Sequence, residues 1–146
     1  LSTVTATRAA SEDRLLTSAL PRIDQLIASG ATTVEVKSGY GLTVEDELKM
    51  LRAARRIADQ RLVSVRTTHL AAHAIPPEYK GRATAYMAEV AIPSLRAARA
   101  EGLVDAVDAF CETIAFSTAD LAPLFAEARA LGLPVKLHAE QLTDQG

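Results

Sequence analysis

Thr32-Thr-Val-Glu-Val-Lys37, with Ser38-Gly-Tyr-Gly41 directly behind it, is a β-branched run that ends in a glycine turn. It carries charge where a buried strand should carry none. Side chains alternate faces along a strand, so Glu35 and Lys37 share a face with Thr33. Three further runs read as strands, at residues 62–70, 105–112 and 134–140. In them Asp108 shares a face with Glu112, and Lys136 with His138 and Glu140. The four starts are 30, 43 and 29 residues apart, and a βαβ unit needs about 30. The chain therefore reads αβαβαβαβ, with parallel strands and right-handed crossovers.

Two α/β architectures fit that order: a doubly wound sheet, and part of a (β/α)8 TIM barrel, whose whole form takes about 250 residues. A sheet covered by helices on both faces should read almost continuously apolar. Charge within the strands, at Glu35, Lys37, Asp108 and Lys136, fits instead a sheet with one face under helices and the other lining a barrel. The reading is part of such a barrel, about four consecutive βα units, with residues 1–146 forming one segment. Leu1 in place of Met, and a stop soon after the last strand, add the expectation that the N- and C-terminal parts are absent.

The segments between the strands carry helix signals. Val44, Leu48, Leu51 and Arg55 recur at helical spacing, with Ala54, Ile57 and Ala58 continuing the stripe. Thr43 suits the N-cap, with Glu45, Asp46 and Glu47 favouring the helix start by charge. Ser117 and Asp120 resemble a capping box. Gly30, Gly102 and Gly132 each close a helical run before a strand. Pro93 predicts a kink or a restart. Lys49, Arg52, Arg55 and Arg56 read as a solvated face.

Composition narrows the function. Sixteen basic and 18 acidic residues give a net charge of −2, without the basic footprint of a nucleic-acid binder. Aromatic residues make up 4% and Trp is absent, which argues against a base-stacking platform. No apolar run approaches the roughly 20 residues that span a bilayer. A single cysteine, Cys111, builds no disulfide framework, so a reduced, cytoplasmic setting is the expectation, and Cys111 itself reads as core.

In either architecture ligands bind beyond the C-terminal strand ends. The Ser38-Gly-Tyr-Gly41 turn could push Tyr40 over such a site, or could be an ordinary glycine turn with an exposed tyrosine. His69 falls within the second strand and His73 in the loop after it, where function concentrates. Either histidine also fits a satisfied structural role. His138, beside Glu140 and Gln141 at the last strand, is a metal-ligand candidate. With no H-x-H or H-E-x-x-H pattern, the chain does not hold a complete metal site.

Taken in order, Glu35-Val-Lys-Ser-Gly-Tyr-Gly-Leu42, Glu47-Leu-Lys-Met-Leu51, Ala71-Ala-His-Ala74, Pro77-Glu-Tyr-Lys-Gly81, Asp108-Ala-Phe-Cys-Glu112 and Val135-Lys-Leu-His-Ala139 resemble the imidazolonepropionase family of metal-dependent amidohydrolases. The resemblance runs over essentially the whole chain. It implies a barrel enzyme with one zinc or iron ion that hydrolyses 4-imidazolone-5-propanoate to N-formimidoyl-L-glutamate in histidine degradation. By motif match it implies His138 as metal ligand, and Tyr40, His73 and Gln141 as substrate contacts, with His73 and Gln141 also in catalytic roles. It implies a small-molecule substrate, no nucleic-acid or membrane partner, and a dimer for the full-length protein. It also implies that the H-x-H metal pair and a substrate-holding arginine lie upstream of Leu1, and a catalytic His and a metal-binding Asp downstream of Gly146. This chain alone is then expected to be inactive. Two other readings stay open: a flavodoxin-like binding or regulatory domain, and an amidohydrolase acting on another cyclic amide such as a hydantoin or dihydropyrimidine.

Overall fold

The four expected strands form one parallel sheet in chain order: β1 (Thr33–Lys37), β2 (Ser64–Ala72), β3 (Ala106–Cys111) and β4 (His138–Ala139). The structure is a computed structural model that describes residues 2–144. Its helices are α1 (Ser2–Ala9), α2 (Glu12–Ala28), α3 (Val44–Arg55), α4 (Ile57–Gln60), α5 (Ala83–Tyr86), α6 (Ile92–Ala100) and α7 (Thr118–Ala130). The long helices pack side by side in the order α2, α3, α6, α7, the same order as the strands. That is a single helical layer, where a doubly wound sheet would split its helices between two faces. The sheet curls into half of a barrel wall.

Local chemistry sets the helix ends as the sequence predicts. The Thr43 and Ser117 hydroxyls accept from the backbone N–H groups of Asp46 and Asp120, and the Ser117–Asp120 capping box is complete. Pro93 has no N–H for the carbonyl four residues earlier. The helix widens just ahead of it into a π turn over Met87–Ala91 and restarts as α6.

Two strand boundaries differ from expectation. β2 begins at Ser64, with Leu62 fully exposed, and runs on through Ala72, so His73 follows the strand directly. Regular pairing in β4 covers only His138–Ala139, although Val135 already bridges Val107 in the same register. This strand pairs on one side, and Pro134 has no N–H to donate.

The core lies between sheet and helices, around Leu51, Ala71, Leu95, Val107, Phe116 and Leu124. Buried alanines on the helices, such as Ala54, Ala98 and Ala128, let the layers approach closely. The basic set on α3 is not simply solvated. Lys49 pairs with Asp46, Arg52 with Glu101, Arg55 with Asp105, and Arg56 with Glu12 and Asp13. Four of these pairs tie α3 and its C-terminal end to other parts of the chain, because α3 sits between α2 and α6, with Glu12 and Asp13 on one flank and Glu101 and Asp105 on the other.

His69 takes a structural role, but not the fully satisfied one left open for it, since its buried Nδ1 has no hydrogen-bond partner among the described residues. It is fully buried in β2, with Nε2 2.8 Å from the Ser94 hydroxyl of α6. Burial lowers its pKa to about 3, so the folded protein holds a neutral imidazole. The unfolded chain binds a proton at about 6.5 that the folded state refuses, so this group removes stability as pH falls from about 6.5 toward 3. In the full-length protein we expect urea midpoints to drop across that window, His69 contributing at most about 1.4 kcal/mol per pH unit. His69→Gln should flatten that part of the profile while lowering the neutral-pH midpoint. An unchanged slope in the variant would contradict a buried, non-protonated His69.

Candidate active site

The C-terminal ends of the four strands open on one mouth, and the residues there are held mainly by carboxylates. After β1 the chain makes the Ser38–Leu42 turn. The Ser38 N–H donates to the Thr68 carbonyl (3.1 Å), and the Ser38 hydroxyl accepts from the Leu70 N–H (3.0 Å). Gly39 has φ +111°, and a Cβ placed there would stand 2.7 Å from the Leu70 carbonyl oxygen. Gly41 is equally confined, since its Cβ would meet the α3 backbone at 2.5 Å. Two glycines are therefore required to press this turn onto β2 and the start of α3.

The turn presents Tyr40, 39% exposed, at the rim. Its ring meets His73 edge to face, with centroids 4.9 Å apart and planes at 70°. On the other side His73 faces Phe110, at 6.4 Å and 56°. His73 Nδ1 lies 3.1 Å from the Gly39 carbonyl oxygen, which can only accept. Nδ1 therefore carries the hydrogen, and in the neutral ring Nε2 is left as an acceptor. Tyr40, His73 and Phe110 form a row across the ends of β1, β2 and β3.

Phe110 pairs in register with His138, the next position across the sheet. His138 is half exposed, and its Nδ1 lies 3.0 Å from the Asp108 carboxylate. Asp108 is fully buried; it also accepts from Lys37 Nζ (2.7 Å) and from the Ala109 N–H (2.8 Å). Burial works to raise the Asp108 carboxyl, but Lys37 and His138 outweigh it and hold it below its ordinary value. A carboxylate behind a histidine fixes its tautomer and leaves Nε2 for a metal, so His138 fits the role of one ligand. Among the described residues there is no cluster of three or more His, Cys, Asp or Glu that could hold a metal ion. Cys111 is buried, and burial together with Glu112 and Glu140 raises its thiol pKa, as a core cysteine requires.

Gln141 follows β4 and is exposed. Its backbone N–H donates to Glu112 Oε1 (2.7 Å), which also accepts from Leu142, while Glu112 Oε2 accepts from the Thr143 N–H and hydroxyl. Those donors, the Thr143 hydroxyl first, hold the Glu112 carboxyl below its ordinary value. Glu140 has φ +58° and turns the chain between His138 and Gln141. The structure thus brings Tyr40 and His73 into contact, seats His138 beside Phe110, and anchors Gln141 through its backbone.

Sequence reading passed over the holding residues. Glu47 sits where the sequence suggests a charge favouring the helix start, yet it is fully buried and accepts N–H groups of the Tyr40 turn. The signal was present: Glu47 lies on the apolar stripe of α3, between Val44 and Leu51, where only a paired carboxylate is tolerated. Phe110 and Asp108 were visible as strand residues, but nothing local says which neighbours they meet.

No protein-family model matches the chain. Curated relatives do, along its whole length. An imidazolonepropionase from Ruegeria sp. (strain TM1040) is 69% identical over all 146 residues. One from Cereibacter sphaeroides (strain ATCC 17029 / ATH 2.4.9) is 64% identical over all 146. One from Rhizobium meliloti (strain 1021) is 63% identical over 145 residues, 99% of the chain. Over its whole length the chain is a homologue of imidazolonepropionases. It spans 35–37% of the length of these relatives. The similarity to imidazolonepropionase covers the Tyr40 turn, the His73 strand end and the His138 strand alike.

The turn gives a test of its own. Gly30 also has a positive φ (+96°), but its Cβ would meet nothing within 4 Å. Both Gly→Ala variants carry backbone strain, and only Gly39→Ala adds a clash with fixed backbone. We expect Gly39→Ala to cost about 1–3 kcal/mol more than Gly30→Ala in chemical denaturation of the full-length protein. Equal costs would mean that the turn is not pressed onto β2 as described.

Proposed function

We propose that this chain is the central segment of an imidazolonepropionase barrel, in an enzyme that hydrolyses 4-imidazolone-5-propanoate to N-formimidoyl-L-glutamate in histidine degradation. One observation carries the reading. Tyr40 and His73 stand in ring contact at the mouth of a half-barrel, in line with a histidine backed by a buried carboxylate. The relatives' names agree with it.

On this reading each residue has a distinct task. His73, hydrogenated on Nδ1 by its bond to Gly39, offers Nε2 as an acceptor to a ring N–H of the substrate. Once protonated, the same Nε2 becomes a donor to an oxyanion. Tyr40 positions the substrate through its hydroxyl. Gln141 hydrogen-bonds the substrate ring and cannot act as a base. His138 would hold a zinc or iron ion through Nε2. When bound, such an ion supplies Lewis acidity and lowers the pKa of water at the site toward about 7. If a general base is needed, it lies outside this set.

Other features support a partial barrel. An apolar groove of about 290 Å³ runs between α2, α3 and the free edge of β1, and one of about 280 Å³ runs along α7 beside Leu137. Both lie where neighbouring βα units of a barrel would pack. The single helical layer disfavours a flavodoxin-like domain. A cytoplasmic homodimer acting on a small molecule is the setting we infer for the whole enzyme. Among the described residues Cys111 is a buried thiol, and no helix is long and apolar enough to cross a membrane.

One histidine binds zinc weakly, and three or four protein ligands are usual. We therefore expect no turnover of 4-imidazolone-5-propanoate by the 146-residue chain supplied with zinc or iron, beside an active full-length enzyme. In the full-length enzyme, His138→Ala should lower bound metal, measured by elemental analysis after dialysis, as well as kcat. Turnover by the short chain, or full metal content in His138→Ala, would count against this assignment. Hydrolysis of a hydantoin or dihydropyrimidine in preference to the imidazolone would move the substrate to another cyclic amide.

A further inference from the structure

We propose that Glu47 is a positioning residue, which acts by holding the Ser38–Leu42 turn so that Tyr40 and His73 face the substrate together. The inference rests on the function proposed above and adds to it a residue that touches no substrate.

The geometry is specific. Glu47 begins the buried side of α3 and has no exposed surface. Its Oε2 accepts from the Gly39 N–H (2.9 Å), and its Oε1 from the N–H groups of Gly41 (2.9 Å) and Leu42 (2.8 Å). The Ser38 hydroxyl is a further donor. These bonds bracket Tyr40 on both sides. Two carbonyls of the same turn are held by a side chain of α1. Arg8 of α1 donates Nε to the Gly41 carbonyl (2.7 Å) and Nη2 to that of Leu42 (3.4 Å), and it pairs with Glu78 (2.7 Å). Leu42 sits at φ +55°, a conformation that a leucine keeps only when its surroundings impose it. The link to His73 is direct, since the Gly39 residue whose N–H is fixed by Glu47 accepts the His73 Nδ1 hydrogen on its carbonyl.

A buried carboxylate is expensive unless its oxygens are satisfied, and here every bond it makes goes to the turn. Burial raises the Glu47 carboxyl above its ordinary value, against the pull of Ser38 and the three backbone donors. An amide cannot replace it, because one of the two acceptor positions would become an NH2 set against a backbone N–H.

The test uses the full-length enzyme. Wild-type turnover of 4-imidazolone-5-propanoate decides the proposed function before any variant is made. Hydrogen exchange then reads the anchorage without catalysis. The Gly39, Gly41 and Leu42 amides should be protected in wild type and should exchange at least tenfold faster in Glu47→Gln. Kinetics read the consequence. Glu47→Gln should raise KM at least tenfold with a smaller change in kcat and with metal content retained. In a Tyr40→Ala background the same substitution should cost less than half as much on a logarithmic scale, because its effect runs through Tyr40. Glu47→Asp, with the carboxyl group kept and its reach shortened, should change exchange and KM in the same direction, and it decides the matter if the Gln variant does not fold. Fast exchange of these amides in wild type, an unchanged KM in a folded Glu47 variant, or fully additive losses with Tyr40→Ala would overturn the proposal.

Discussion

Asp108 is a carboxylate removed from water in the middle of a parallel sheet, and burying it sets terms for the strands on either side. Its negative charge is tolerable only with partners close at hand. β1 supplies Lys37 and β4 supplies His138, while the Ala109 N–H completes the set. One side chain on β3 thereby couples the first strand of the described chain to the last. Glu35 extends the pattern, since it pairs with Lys136 and accepts from Thr68. The polar face of the sheet is a connected ladder of charged and polar groups spanning four strands, while Val34 and Val107 are buried on the opposite face against the helices. Slipping any strand by one residue would move its charges into the apolar layer. The ladder therefore acts as a check on register as well as a lining.

The mouth of the half-barrel repeats this logic in smaller form. Two loops that carry no regular structure are each gathered onto one carboxylate, Glu47 for the turn after β1 and Glu112 for the chain after β4. Backbone N–H groups in a loop must find acceptors, and a carboxyl group that takes three of them ties down a loop much as a strand pairing would. The residues displayed at the mouth can then be few and partly exposed. Tyr40 and Gln141 owe their places to what their neighbours' backbones do. The Pro77-Glu-Tyr-Lys-Gly81 string gains a meaning here as well: Glu78 braces Arg8, which grips the Tyr40 turn from outside.

Much of this was legible in the chain itself. Strand number, order and rough position followed from β-branched runs about 30 residues apart. The barrel rather than the doubly wound sheet followed from charge at Glu35, Lys37, Asp108 and Lys136. The caps at Thr43 and Ser117, and the break at Pro93, are local signals and came through as such. The family resemblance, carried by motifs such as the Tyr40 turn, agrees with relatives more than 60% identical along the chain. Less legible were the ends of β2 and β4, which depend on pairing rather than composition, and the roles of residues whose partners lie far along the chain. Arg52 and Arg56 read as solvated because Glu101 and Glu12 are 49 and 44 residues away.

The sequence by itself determined the elements, the polar face and the identity of the chemical groups at the strand ends, because periodicity, capping and charge placement are read over a few neighbouring residues. Only the tertiary structure decided which groups meet. It turned Glu47 from a helix-start charge into the anchor of the Tyr40 turn, chose the Nδ1 hydrogen of His73 through the Gly39 carbonyl, and made His69 a neutral core residue instead of a site candidate. Each outcome depends on desolvation and on a hydrogen-bond partner brought in by the curl of the sheet, and neither quantity exists until the strands stand side by side.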